Sequence, residues 1–268
     1  MKFSVLIAHY NNAEYFKDCY ESLLKQTYKN WEAVILDDGS NPEEKESVKK
    51  IIAEDHRFKY FENEINSGVG ITKARLIELA TGEICGFIDP DDAIVPTAIE
   101  KMVDAYNKNK YVALYSTFTF CDEKLTKKST FKNSAQVKNA NPLFFNIFFE
   151  VNHFFTFKKS AYQQTSGIAS TLSSSVDQDL YLKLYDVGNF KFINEPLYLY
   201  RQHSEGVSQS PEKKEKLYKN WHHVLYEVAK RRNISKLYRK NIQEIDNLPK
   251  FLFKHQNSLI QKFLRRLK

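Results

Sequence analysis

Phe3-Ser-Val-Leu-Ile-Ala8 runs apolar into the polar stretch His9-Tyr-Asn-Asn12, and Tyr15, Phe16, Cys19, Tyr20, Leu23 and Leu24 then recur at spacings of three and four. An apolar run closed by polar residues reads as a buried strand, and the three-four spacing reads as a helix. The alternation continues. Trp31 to Leu36 is a second buried-type strand, stopped by Asp37-Asp-Gly-Ser40, and Pro42 opens a helix through Val48, Ile51 and Ile52. Phe58 to Phe61 is a third short strand, Gly68 and Gly70 precede a helix over Ile71 to Ala80, and Ile84 to Ile88 runs into Asp89-Pro-Asp-Asp92. This pattern predicts an α/β fold with a mostly parallel central sheet and helices on both faces. Ligands bind such sheets where loops leave the carboxyl ends of the strands, so the loops at 9–12, 37–40 and 89–92 are expected to converge.

Further along, the spacing predicts a strand at Tyr111 to Phe120, a Lys/Ser-rich loop at 124–139 and an aromatic stretch from Leu143 to Phe157. That stretch is read as core or as a packed helix. Asp177 to Tyr185 reads as helix, Phe190 to Ile193 and Tyr198 to Arg201 as two short strands, and 211–268 as mainly helical.

The 268 residues suffice for one large domain with an appendage, and 42% hydrophobic with 27% charged residues excludes wholesale disorder and a multi-span membrane protein. The formal charge of +7 is unevenly spread. Residues 211–268 hold 16 Lys+Arg against 5 Asp+Glu, or +11, whereas residues 1–210 hold 24 against 28, or −4. Cys19, Cys85 and Cys121 lie far apart without a CxxC pair, so neither a disulfide framework nor a zinc site is indicated and a reducing cytosol fits.

Asp89-Pro-Asp-Asp92 carries the most chemistry. Two carboxylates one residue apart on a turn can face one hard cation, and Mg²⁺ or Mn²⁺ prefers oxygen ligands shared with phosphate and water. Asp92 by itself reads as the cap of the helix that follows. In the acidic turn 37–40, a carboxylate is suited to accept from a base N–H or a ribose hydroxyl, although turn chemistry alone also selects these residues.

Taken in order and spacing, Phe3 to Asn12, Ser22 to Tyr28, Ile35 to Ser40, Asn66-Ser-Gly-Val-Gly-Ile-Thr-Lys-Ala-Arg75 and Phe87 to Asp92 resemble family 2 glycosyltransferases of the GT-A (Rossmann-like) fold. The resemblance resumes at Val176-Asp-Gln-Asp-Leu-Tyr-Leu-Lys-Leu184 and Glu195 to His203. It implies a domain over 1–210, with a nucleotide-binding half at 1–105 and an acceptor-binding half at 106–210. It further implies metal-dependent, inverting transfer of a sugar from a nucleotide-sugar, usually a UDP-sugar, to a hydroxyl of a glycan or lipid-linked glycan, as in bacterial surface polysaccharide synthesis.

Carried over residue by residue, the backbone around Ala8 to Tyr10 and the carboxylate of Asp38 match the uridine pocket. Asp89 and Asp91 match the DxD pair, with Asp91 the direct metal ligand and Asp89 nearer the ribose, reaching the metal through water. Arg75, with Gly68 allowing close approach, matches the position facing the donor phosphates. Asp177 matches the catalytic base, and His203 completes the metal or pyrophosphate site. Position 176 departs from the pattern, being Val where the family commonly has Glu, so Asp179 is a substitute base or else an N-terminal helix residue favoured by the dipole. The same departure supports an alternative, a catalytically silent sugar-nucleotide-binding protein.

Gly68-Val-Gly70 is not a dinucleotide fingerprint, because Lys73 stands at the third glycine position. Leu259, Ile260, Phe263, Leu264 and Leu267 form one stripe beside Lys262, Arg265, Arg266 and Lys268, the pattern of an interfacial helix on anionic lipid or of a helix packed on protein. No recognition module for nucleic acid accompanies the basic extension, and none is expected as partner. The expected place is the cytoplasm, in peripheral contact with the inner face of the membrane, and a homo-oligomer is compatible with the sequence.

Overall fold

A computed structural model describes residues 1–53, 55–108, 110–203 and 211–257, the side chains of 211–214 excepted. The first hundred residues form β1 (Phe3–His9), α1 (Ala13–Leu24), β2 (Trp31–Asp37), α2 (Pro42–Ile52), β3 (Phe58–Glu62), α3 (Val69–Leu79), β4 (Ile84–Phe87), β5 (Ala93–Ile94) and α4 (Ala98–Lys108). β6 (Ala113–Cys121), β7 (Lys127–Thr130), β8 (Phe155–Lys158), α5 (Lys159–Tyr162), α6 (Val176–Val187) and β9 (Phe190–Arg201) follow. The chain continues through α7 (Pro211–Arg231), a small hairpin of β10 (Lys236–Leu237) and β11 (Lys240–Asn241), a 3-10 turn at Ile242–Glu244, and α8 (Leu248–Gln256).

Nine strands share one sheet in the order β3-β2-β1-β4-β8-β6-β9-β5, with β7 paired to β6. The β3-β2-β1-β4 half is wholly parallel, and β6 pairs parallel with β9. β8 runs against both β4 and β6 and joins the two halves.

Period-two geometry sends alternate side chains of these strands to opposite faces. Phe3, Val5, Ile7, Ala33 and Ile35 meet Phe16, Leu23, Val48, Met102 and Val103 of α1, α2 and α4. Leu6, Val34 and Leu36 meet Leu76 and Ile77 of α3, Leu180 and Leu184 of α6, and Val224, Leu225 and Val228 of α7. Both faces are covered, which is why these strands read as unbroken apolar runs. Helix starts follow local rules: Asn41 accepts from the Glu44 backbone N–H, and Pro42 occupies the first turn.

The described part of the extension is mainly helical, as its sequence predicts. α7 and α8 place Val224, Leu225, Val228, Leu248 and Leu252 in the core on the α3/α6 face, but a hairpin and a 3-10 turn separate them. The Leu259 to Lys268 stripe lies outside the described residues.

Two expectations are corrected. β9 is one strand of 12 residues rather than two, and Pro196 sits in it because β5 pairs only with Tyr198 and Leu199, leaving that edge unpaired there. The loop at 124–139 contains the exposed strand β7, whose Lys-Lys-Ser-Thr carries no apolar alternation to announce it. Of the two readings of 143–157 the core one holds: Phe145, Ile147, Val151 and Phe154 are buried, from irregular backbone rather than a helix, before β8 begins.

Candidate active site

β1 and β2 lie in parallel register, so His9 ends beside Asp37. His9 Nδ1 stands 2.8 Å from Asp37 Oδ2 with both side chains fully buried, and the Ser40 N–H donates to Asp37 Oδ1 at 2.8 Å. Burial would raise the Asp37 carboxyl, but His9 and Ser40 hold it below the ordinary range. Asp37 therefore pins the turn, and Asp38 follows it as a second buried acid. The Asp38 N–H donates to His9 O at 2.8 Å, which brings it beside the Ala8–Tyr10 backbone, with Tyr10 half exposed.

The Asp38 carboxylate accepts from Asn63 Nδ2 at 2.7 Å and from the Ser67 and Gly68 N–H groups at 2.9 Å each. A carboxylate has about four lone-pair sites, so these three leave about one for an incoming donor. Arg75 donates to Asn63 Oδ1 and, at 3.4 Å, to the Glu62 carbonyl, which attaches it to the Asp38 cluster. Gly68 has φ 88°, and a Cβ there would meet nothing within 4 Å, so its backbone conformation rather than space requires glycine. Close approach belongs to Gly70, where a Cβ would fall 2.7 Å from Leu172 O and 2.9 Å from Ala169 O.

After β4, the loop bearing Asp89 and Asp91 is sewn to β9. Asp92 is 2% exposed and accepts from Tyr198 Oη and the Arg201 N–H, each at 2.7 Å. Burial, then the neighbouring Asp89 and Asp91, pushes its carboxyl well up. Asp92 does not cap α4, which starts six residues later at Ala98. Arg201 donates from Nε to the Asp91 carbonyl at 2.6 Å and from Nη2 to Asp18 at 2.7 Å, with its guanidinium over the Tyr15 ring. His203 then lies with Nε2 at 2.9 Å from Asp91 Oδ2, 4.9 Å from the Tyr15 ring centre.

On the other side of the loop, Asp177 stands in the first turn of α6 with its side chain 38% exposed. Its Oδ1 accepts from Lys73 Nζ at 2.7 Å, and the same ammonium is 4.0 Å from Asp89 Oδ1. Burial would raise Asp177, but Lys73 and then His153 hold it below the usual carboxylate range. For Asp89 burial, with Asp91 and Asp177 beside it, prevails over the pull of Lys73 and His153, and its carboxyl is raised. His153 is stacked on Tyr198 at 4.8 Å, and burial lowers its imidazole against the pull of Asp89 and Asp177. Asp179 is a poor substitute base: buried, it accepts from the Ala169 N–H at 2.9 Å and Lys183 Nζ at 2.8 Å, and so holds the 167–169 loop to α6. Val176 is 4% exposed in the core.

The structure thus gathers Asp89, Asp91, Asp177 and His203 around one loop, and Ala8, Tyr10, Asp38, Gly68 and Arg75 around its neighbour. Sequence reasoning missed Lys73, His153, Tyr198, Arg201 and Asn63 as members. Arg201 lay inside the Glu195–His203 stretch, and its signal was a cation two residues from a candidate ligand. Among the described residues no three His, Cys, Asp or Glu side chains are grouped to hold a metal ion. The donor types nevertheless suit one, since Asp91 Oδ2 and His203 Nε2, a carboxylate oxygen and an imidazole nitrogen, face each other at 2.9 Å.

Strand-end acids thus converge on one edge of an α/β sheet, where such sheets take their ligands. The sequence profile described as "Glycosyl transferase family 2" matches residues 4–165. The chain belongs to that family. A chondroitin synthase of Escherichia coli is 31% identical over 206 residues, covering 76% of this chain and 29% of that protein. A hyaluronan synthase of Pasteurella multocida is 26% identical over 93% of this chain and 25% of its own length. The chain therefore spans between a quarter and a third of these relatives. An uncharacterized glycosyltransferase of Methanocaldococcus jannaschii is 30% identical, covering 80% of this chain and 76% of its own. S. aureus TarS 1-349 in complex with UDP-GlcNAc superposes with TM-score 0.74 at 18% identity, over 98% of this chain and 78% of that one. A Pyrobaculum calidifontis mannosyltransferase with GDP-Man and Mn²⁺ gives TM-score 0.63 at 14% identity, over 85% and 64%. The fold is GT-A.

Proposed function

We propose that this glycosyltransferase moves a sugar from a UDP-sugar to a hydroxyl of a glycan or lipid-linked glycan, inverting the anomeric centre, with the help of a divalent cation. The observation that carries the reading is the pairing of Asp177 and Asp89 about one buried ammonium, beside the Asp91–His203 contact. Inversion needs a single in-line displacement, so one base must take the acceptor proton opposite the leaving group. Asp177, ionised and partly exposed, is suited to that task. Asp38, with about one acceptor site left, and the Ala8–Tyr10 backbone hold the base ring, and Asp89 the ribose. Arg75, tied through Asn63 to the Asp38 cluster, faces the donor phosphates.

Asp91 and His203, with Asp89 through water, would hold Mn²⁺ or Mg²⁺, which supplies charge stabilisation to the departing diphosphate. The UDP-GlcNAc bound by TarS supports a UDP-sugar donor, and the two synthases support a growing glycan as acceptor. No helix among the described residues is long and apolar enough to cross a membrane. Contact with an anionic membrane surface rests on the basic residues 258–268, and equal binding of anionic vesicles by the full chain and one ending at Asn257 would refute it.

The reading is tested by thermal shift with UDP-, GDP- and dTDP-sugars, each with and without Mn²⁺. Stabilisation by UDP-sugars that depends on Mn²⁺ is expected, and none with any nucleotide would overturn it. Turnover without stereochemical inversion would overturn the single-displacement part.

A further inference from the structure

Lys73 lies inside the Asn66–Arg75 stretch, where the sequence reading gave it no role, yet it is the hinge of the site's charge. It projects from the second turn of α3 and is 5% exposed, with Nζ 2.7 Å from Asp177, 4.0 Å from Asp89 and 5.0 Å from the Phe87 ring centre. Removing an ammonium from water is costly, and it persists only where anions compensate it. Two carboxylates do so here, one from the start of α6 and one from the end of β4. Their charges exceed that of Lys73 by one, and both side chains are more than a third exposed toward the cleft.

A diphosphate seated beside Asp89 brings further negative charge to the same place. The lysine stem is flexible and its charge compact, so Nζ can turn from one anion to another without backbone movement. Asp177, being partly exposed, can be rehydrated when Lys73 leaves it. Resting on the nucleotide-sugar reading above, we propose that Lys73 is a shared counter-ion: paired with Asp177 while the donor is absent, it turns to the donor's diphosphate on binding and frees Asp177 to receive the acceptor proton. Lys73 is thus a phosphate-binding residue and a positioning residue for the base, and it makes the base available only when a donor is present.

Competition for one ammonium has a thermodynamic signature. Asp177 and the diphosphate must oppose each other, so removing the Asp177 charge strengthens diphosphate binding through Lys73 and only through Lys73. The experiment is calorimetric titration of UDP, with Mn²⁺ present, into the wild type, Asp177→Asn, Lys73→Met and the double variant. Asp177→Asn is expected to bind UDP about three- to tenfold tighter, and Lys73→Met at least about tenfold more weakly. The double variant should match Lys73→Met, the gain having vanished. Lys73→Arg should keep UDP affinity within about threefold of the wild type.

If Asp177→Asn leaves UDP affinity unchanged or weaker, Lys73 is not shared and the inference fails while the nucleotide-sugar reading stands. The inference fails in the same way if the gain survives in the double variant. Asp177→Asn alters a partly exposed side chain and leaves Lys73 in place, so this arm holds even where Lys73→Met fails to fold. Absence of UDP binding by the wild type would overturn the nucleotide-sugar reading and the inference together.

Discussion

The Asp91 carboxylate and the His203 imidazole meet at 2.9 Å although 112 residues separate them. Arg201 makes this possible, since it sits at the end of β9 and grips the Asp91 carbonyl from the strand that delivers His203. Asp91→Asn and His203→Ala should each lower UDP affinity in Mn²⁺ by about ten- to a hundredfold. In EDTA the variants should bind UDP like the wild type. Calorimetry in both conditions checks this, and equal losses in EDTA would refute a cation role.

Asp177→Asn keeps the shape of the base but not its proton affinity. Transfer should fall by about 10²- to 10⁴-fold, as expected for loss of a positioned base. UDP binding should survive, so the loss falls on turnover. Steady-state transfer with a fixed donor checks this, and wild-type turnover would remove Asp177 from the role of base.

Asp92 is a stability residue rather than a ligand. Its two oxygens accept from Tyr198 and the Arg201 backbone, and Asn can replace only one of them. Asp92→Asn should cost about 2 kcal/mol, and Tyr198→Phe about 1 kcal/mol. Chemical denaturation measures both, and a neutral Asp92→Asn would contradict the structure.

Glu32 makes the fold sensitive to acid. It is 2% exposed and accepts from Lys2, Lys59, Ser4 and Thr81. Burial would raise its carboxyl, but these donors hold it well below the ordinary range. A depressed native pKa means the stabilisation is complete above the unfolded value of about 4.3 and is lost as pH falls toward the native value. The melting temperature should therefore drop below about pH 4. Glu32→Gln should be about 2 kcal/mol less stable at pH 7, a figure reduced because Lys2 and Lys59 are over a third exposed, and should show a shallower acid limb. Melting curves from pH 3 to pH 7 read both.

Gly70→Ala pushes on the backbone that leads to Asp177, because its Cβ would fall 2.7 Å from Leu172 O. Expected are about 1–3 kcal/mol of destabilisation and about a tenfold loss in turnover, with UDP affinity nearly kept. Unchanged turnover would show that the 169–172 segment does not set the position of Asp177.

The parallel half of the sheet was legible because its strands are buried on both faces and leave continuous apolar runs from Phe3, Trp31 and Ile84. The strand-end acids Asp38, Asp89 and Asp91 were legible for a similar reason, since each interrupts such a run. β7 and the continuity of β9 were not, because an exposed Lys-Lys-Ser-Thr strand and a strand containing Pro196 are defined by their partners, not by periodicity.

Within the site the division is sharper. Sequence alone determined which acids end which strands, and hence the family and the edge of the sheet that carries the chemistry. Only tertiary structure decided the task of each acid, because that depends on which cations and donors arrive from elsewhere. Asp37 was taken by His9, Asp92 by β9 and Asp179 by Lys183, while Asp177 and Asp89 were left facing the cleft and held by Lys73. Those partners come from distant positions in the chain, and a carboxylate's proton affinity is set by the groups within a few ångströms of it, whatever their distance in sequence.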